Sequence, residues 1–87
     1  MDFEYDPVKS EKNKEKHGID FEEAKALWSD PDAIGFPAKF LEDEARFAIL
    51  SKHKGKLWVG FYTERGHNLR ITSVRRARKG EKKLYES

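Results

Sequence analysis

Apolar residues recur along this chain at two different spacings. Phe21, Ala24, Leu27 and Trp28 fall three and four apart, the period of one helix face. Asp20 precedes them as an N-cap, and Glu23 completes an acidic capping box. Asp30-Pro31-Asp32 ends the helix. Upstream, Phe3-Glu4-Tyr5 reads as a short strand, and Asp6-Pro7 as an N-cap with proline at the first helical position. The helix that follows, Val8 to Lys16, has Val8 as its only large apolar residue and belongs on the surface. Lys16-His17-Gly18 stops it: cations suit the negative end of the helix dipole, and glycine accepts the left-handed cap conformation.

From Ala33 onward the period is two. Ala33–Phe36 is a weak strand closed by Pro37, and Arg46–Ser51, Leu57–Thr63 and Leu69–Arg75 are stronger ones. Turns fall at His53–Lys56 and Arg65–Asn68. Ala77 to Tyr85 is a short helix, weakened by Gly80. The expected fold is α+β: a single domain, 1–87, with two N-terminal helices on one face of an antiparallel sheet of three to four meander strands, and a short C-terminal helix.

Alternation splits the strands into two sets. Phe47, Ile49, Leu57, Val59, Phe61, Leu69 and Ile71 are uniformly apolar and are expected beneath Phe21, Leu27 and Trp28. Arg46, Ala48, Leu50, Trp58, Gly60, Tyr62, Arg70, Thr72, Val74 and Arg76 mix arginine with aromatics. Guanidinium groups hold phosphates through paired hydrogen bonds, and rings stack on bases, so this second set has the chemistry of an RNA-binding face. The competing reading is that the C-terminal helix covers part of it, with Trp58 and Tyr62 packed underneath.

Composition sharpens this picture. The chain has 87 residues and no cysteine, hence no disulfide staple. Aromatics at 13% argue for a real core despite 39% charged residues. No apolar run approaches a membrane span and no signal-peptide pattern is present, so a cytoplasmic protein is expected. The net charge of +2 conceals an asymmetry: residues 1–45 hold 6 Lys/Arg against 13 Asp/Glu, and residues 46–87 hold 12 against 3. Segregated charge suits a polyanion on one side and another partner on the other, or is simply an uneven solubilising surface.

Histidines stand at 17, 53 and 67, and none pairs with another ligand at helical spacing, so no metal site is expected. There is no glycine-rich phosphate loop and no nucleophile–histidine–acid set, and no cofactor is expected. RNA cleavage by the substrate's own 2′-hydroxyl requires neither. The protein positions the strand, assists proton transfer and stabilises the charged phosphorus centre, for which arginine, lysine, tyrosine, histidine and glutamate suffice.

Phe3-Glu4-Tyr5-Asp6-Pro7, Asn13, Lys16-His17-Gly18, Phe21-Glu22-Glu23-Ala24 and Asp30-Pro31 together resemble the BrnT toxin family. So do Tyr62-Thr63-Glu64-Arg65, Arg70-Ile71, Ser73, Arg75, Ala77, Glu81 and Tyr85. Ala45, Leu50 and Val74 depart from the family pattern, which has glutamate at the first. The resemblance implies a RelE-like toxin of a type II toxin–antitoxin pair: a metal-independent endoribonuclease that stops translation. It also implies a BrnA-like ribbon-helix-helix antitoxin in a toxin2–antitoxin2 heterotetramer, with operator DNA contacted only through the antitoxin. The expected catalytic residues are Arg70, Arg75, Tyr85 and His17, and the expected RNA-binding residues Arg46, Trp58, Tyr62, Arg65 and Arg76. Alternation sets Arg75 with the core residues, and a bulge near the strand end would turn it outward. The helix end alone accounts for His17. Two other functions stay open: a non-catalytic module that binds RNA or serves as the antitoxin's corepressor, and a basic DNA-binding domain, for which no helix-turn-helix pattern is visible.

Overall fold

The computed structural model describes residues 2–41 and 44–87. In chain order the elements are β1 (Asp2–Glu4), α1 (Pro7–His17), α2 (Phe21–Ala24), a 3-10 helix (Lys25–Ser29), β2 (Ile34–Leu41), β3 (Glu44–His53), β4 (Lys56–Arg65), β5 (Asn68–Arg76) and α3 (Lys79–Glu86). One sheet holds all five strands in the order β1-β5-β4-β3-β2. The expected antiparallel meander is present from β2 to β5, but the sheet is larger than expected and mixed, because β1 pairs in parallel with β5 through Phe3–Leu69 and its neighbours. The second helix is also shorter than expected. Only one α-turn forms before the chain tightens into the 3-10 helix.

The local signals operate as their chemistry dictates. Asp6 Oδ1 accepts the Val8 N–H at 2.9 Å, and Gly18 closes α1 at φ 83°. Asp20 Oδ1 accepts the Glu23 N–H at 2.8 Å, while Glu23 Oε1 accepts the Asp20 N–H at 3.3 Å. The β3–β4 hairpin turns on Lys54 and Gly55, both at positive φ, as a tight two-residue turn matched to strand twist demands.

α1 docks without an apolar stripe. Its buried residues are Ser10 and Asn13. Ser10 Oγ accepts the Phe21 N–H, and the Asn13 amide reaches the edge of β5. Asn13 Nδ2 donates to Val74 O (2.9 Å) and to Ile19 O (2.8 Å), and Asn13 Oδ1 accepts the Val74 N–H (3.1 Å). β1 covers that edge only as far as Arg70. Beyond it, one side-chain amide substitutes for the missing strand.

Both sheet faces carry a core. Ile19, Phe21, Ala24 and Leu27 pack on Ile49, Trp58, Leu69, Ile71 and Val74, with Trp28 and Tyr62 at the margin. On the opposite face, Ala48, Leu50, Leu57 and Val59 pack with Ala77, Ile34, Phe36, Phe61 and Tyr85. This corrects the expected division of the strands. Leu57, Val59 and Phe61 do not lie beneath Phe21, and Trp58, Gly60 and Tyr62 do. The physical reason is that β4 is apolar at both parities, so alternation within it does not say which face is which. Gly60 matters to this arrangement: a Cβ there would meet Trp28 and Ile49 side-chain carbons at 3.3 Å, so its absence lets the 3-10 helix lie flat on the sheet. The expected stop at Pro37 is also corrected. β2 continues to Leu41 with a register shift between Pro37 and Lys39, which an outermost strand tolerates because an edge proline need not donate to a neighbour.

Candidate functional site

α3 and its partners cover one end of the second face, around Leu50, Leu57 and Ala77. Toward the other end the side chains become polar. Thr63 pairs with Arg70, and one residue past the Phe47–Tyr62 pair Arg46 stands level with Thr63. With strands spaced about 4.8 Å, the Arg46 and Arg70 backbones are about 10 Å apart. Thr63 is 1% exposed between them. Among the described residues, Thr63 Oγ1 and Arg46 Nε are buried without a hydrogen-bond partner. Arg70 has one ion pair, a 3.7 Å approach of its Nη1 to Glu4, where both side chains are about a third exposed. Such a pair is weak and exchangeable.

Arg75 reaches the same face by way of a bulge. Phe61 pairs with Ser73 and Tyr62 with Ile71, leaving Thr72 without a partner on β4. The extra residue shifts the alternation, so Arg75 emerges opposite Val59, on the face away from Leu69 and Ile71. Its guanidinium lies over the Phe61 ring at 5.3 Å. It also grips Glu81 with two parallel bonds, Nη1–Oε1 at 2.8 Å and Nη2–Oε2 at 2.9 Å. Glu81 in turn accepts the Arg78 N–H at the start of α3. The hydrogen bond from Arg75, together with the one from Arg78, outweighs burial and holds the Glu81 carboxyl below its usual range. The same bond raises the Arg75 guanidinium.

Tyr85, on α3, donates its hydroxyl proton to Asp30 Oδ2 at 2.7 Å. Asp30 is a hub. It also accepts the Lys52 N–H (2.8 Å) and the Asp32 N–H (2.9 Å), with a longer 3.3 Å approach from the Ser51 hydroxyl, which donates to Leu27 O at 2.6 Å, tying the 3-10 helix, β3 and α3 together. Desolvation opposes the Asp30 charge, but the sum of these bonds prevails and lowers its pKa. The hydrogen bond to Asp30, then burial, pushes the Tyr85 phenol up to about 12. At neutral pH Tyr85 is therefore protonated, with its proton directed at Asp30. A raised folded-state value stabilises the fold fully below the ordinary tyrosine value of about 10 and is lost as pH climbs toward 12. In an ultraviolet titration we expect Tyr85 to ionise at about pH 12. Asp30→Asn should return that transition toward the ordinary range, and Tyr85→Phe should delete it. Burial also raises the Tyr62 phenol, so the comparison is by difference: if Tyr85→Phe removes no late-ionising phenol from the parent titration, Tyr85 was misassigned.

The other expected site residues lie elsewhere. Trp58 and Tyr62 face the N-terminal helices. Trp58 is 7% exposed, and Tyr62 sits between the rings of Trp28 and Phe47. Neither presents an open ring to the arginine row. Arg76 shares their face, stacked over Trp58 at 5.3 Å. Arg65 ends β4 beside the Gly66-His67 turn and is exposed. His17 is half-buried at the end of α1. The structure thus places Arg46 and Arg70 at one end of this face and Arg75 and Tyr85 at its α3 end, and separates all four from Trp58, Tyr62 and Arg76. Thr63, Glu81 and Asp30 are neighbours that the sequence reading did not place in the site. A carboxylate three residues after a helix start is the signal that marks Glu81, while nothing local marks Thr63.

Fold and site define a small α+β domain that displays arginine on a stretch of sheet not covered by its own helices. A family model described as the ribonuclease toxin, BrnT, of type II toxin-antitoxin systems matches residues 5–81. The match spans most of the chain, which belongs to this family of ribonuclease toxins. No curated protein matches it.

Proposed function

We propose that the chain is a metal-independent endoribonuclease whose substrate lies along the Arg46–Thr63–Arg70 row. The row is the observation that carries the reading. Arg46 and Arg70 flank Thr63, whose hydroxyl is buried and unpartnered, at the end of the sheet face away from α3, and guanidinium groups are suited to paired hydrogen bonds with phosphate. In this reaction the 2′-oxygen attacks the adjacent phosphorus and expels the 5′-oxygen, leaving a 2′,3′-cyclic phosphate and a 5′-hydroxyl. Negative charge grows on the non-bridging oxygens, where Arg46 and Arg70 act electrostatically without a metal. Arg75 adds a third positive group, with Glu81 as its resting partner. Cleavage of messenger RNA would stop translation in the cytoplasm. The same arginine face is the natural target of an acidic segment from a BrnA-like antitoxin. Antitoxin dimerisation would then build a toxin2–antitoxin2 assembly that touches operator DNA through the antitoxin.

A second reading, binding without cleavage, draws on one observation: Arg75 and Tyr85 are already engaged by Glu81 and Asp30. One experiment separates the two. Purified chain incubated with single-stranded RNA in EDTA should yield fragments ending in cyclic phosphate. Intact RNA in EDTA with cleavage restored by magnesium would overturn the mechanism, and intact RNA under both conditions would favour the binding module.

A further inference from the structure

α1 carries four lysines, and only Lys14 has a carboxylate partner among the described residues, Glu23 at 2.6 Å. Lys9, Lys12 and Lys16 follow one another at three and four residues and so form one stripe, on the flank away from Lys14. The stripe borders a cavity of about 180 Å³ whose far wall is the bulge, Thr72 and Ser73, with His17 closing one end. Among the described residues the Ser73 hydroxyl makes no hydrogen bond. The helix dipole accounts for cations in the last turn, which include Lys16 and His17, but not for Lys9 and Lys12. The Thr72 hydroxyl already donates to Phe61 O at 3.2 Å, so the free donor on that wall is Ser73. A cleft with three unpaired ammonium groups on one side and a free hydroxyl on the other suits an anion rich in oxygen acceptors.

Its position names the anion. Thr72 follows Arg70 by two residues, about 7 Å along the strand. β1 stops covering the β5 edge at Arg70, so a strand of nucleic acid leaving the arginine row meets no sheet neighbour there. We propose that the cleft between α1 and the bulged edge of β5 is a second phosphate site, which holds the backbone of single-stranded RNA where it passes around that edge from the arginine-bearing face. The inference rests on RNA as the substrate and adds lysines on α1 to its track. The contacts are to phosphate and so carry affinity without sequence preference.

The test uses the whole chain and a fluorescent 2′-O-methyl RNA, which cannot undergo 2′-hydroxyl attack, with anisotropy read across a salt series. Lys9→Gln/Lys12→Gln/Lys16→Gln should weaken binding by about tenfold or more at low salt and flatten the logarithmic salt slope by about 2, the value for three lost single-strand phosphate contacts. Removing the same charge from α3, with Lys79→Gln/Lys82→Gln/Lys83→Gln, should change both far less. Equal losses from the two triple variants would mean generic attraction and overturn the site. If Arg46→Gln/Arg70→Gln abolishes binding while the α1 variant binds normally, the cleft is wrong and the arginine row stands. If only the α1 variant loses binding, the cleft stands and the arginine row falls. Binding confined to duplex DNA would overturn the assignment to single-stranded RNA.

Discussion

Arg46→Gln/Arg70→Gln is expected to lower single-turnover RNA cleavage by about 100- to 1000-fold, the effect of removing preorganised charge from a reacting phosphate. The fold should survive. Arg70 loses only its 3.7 Å approach to Glu4, between side chains that remain about one-third exposed, worth less than about 1 kcal/mol. Arg46 loses no ion pair among the described residues. The measurement pairs a cleavage time course with a thermal melt. A variant that melts like the parent but cleaves poorly places the two arginines in the chemistry, whereas unchanged cleavage moves the site off this face. Arg70→Lys should recover part of the rate, since lysine supplies charge without the planar two-bond geometry.

The largest effect on stability is expected at Asn13. Its side chain is 7% exposed and holds three backbone groups, the Val74 N–H, the Val74 carbonyl and the Ile19 carbonyl. Asn13→Ala leaves all three buried and unpaired. At about 1–3 kcal/mol for each orphaned group the loss should be about 3 kcal/mol or more. For a chain of this size that lowers the melting midpoint by about 12 °C or more. Asn13→Asp is the sharper control. A carboxylate still accepts the Val74 N–H but donates to neither carbonyl, and it buries a charge, so it should rescue nothing. A melt of either variant within a few degrees of the parent would show that water replaces the amide at no cost.

What the sequence made legible was mostly local. Asp6, Gly18, Asp20 and Glu23 act on backbone groups within four residues, and each functions as its residue type dictates. The hairpin turns at 53–56 and 65–68 are likewise written in adjacent residues. Information that depends on distant partners was hidden. β4 offers apolar side chains at both parities, Leu57, Val59 and Phe61 against Trp58 and Tyr62, because both its faces are covered, so alternation groups Arg46 and Arg70 with Trp58, Tyr62 and Arg76 when the two sets occupy opposite faces. A three-residue strand such as β1 has no pattern that reveals parallel pairing with a partner more than sixty residues away. Arg46 and Arg70 stand out in the sequence because arginine at strand positions is hard to explain as core, and the structure places both on the face proposed for RNA. Arg75 required the Thr72 bulge, and Glu81 and Asp30 required knowing where α3 would land.

The pairing of residues 2–4 with residues 68–70, and of Asn13 with Val74, also governs when the arginine row assembles during synthesis. β5 lies between β1 and β4 and is the strand against which β1, β4 and α1 all close, and it is nearly the last element to be synthesised. During translation the early helix and first strand wait without their docking edge, and Arg46 has no Arg70 beside it. Contacts of such long sequence separation form late and together. A partly made chain therefore carries no assembled arginine row, and under the proposed function an antitoxin needs to meet only finished molecules.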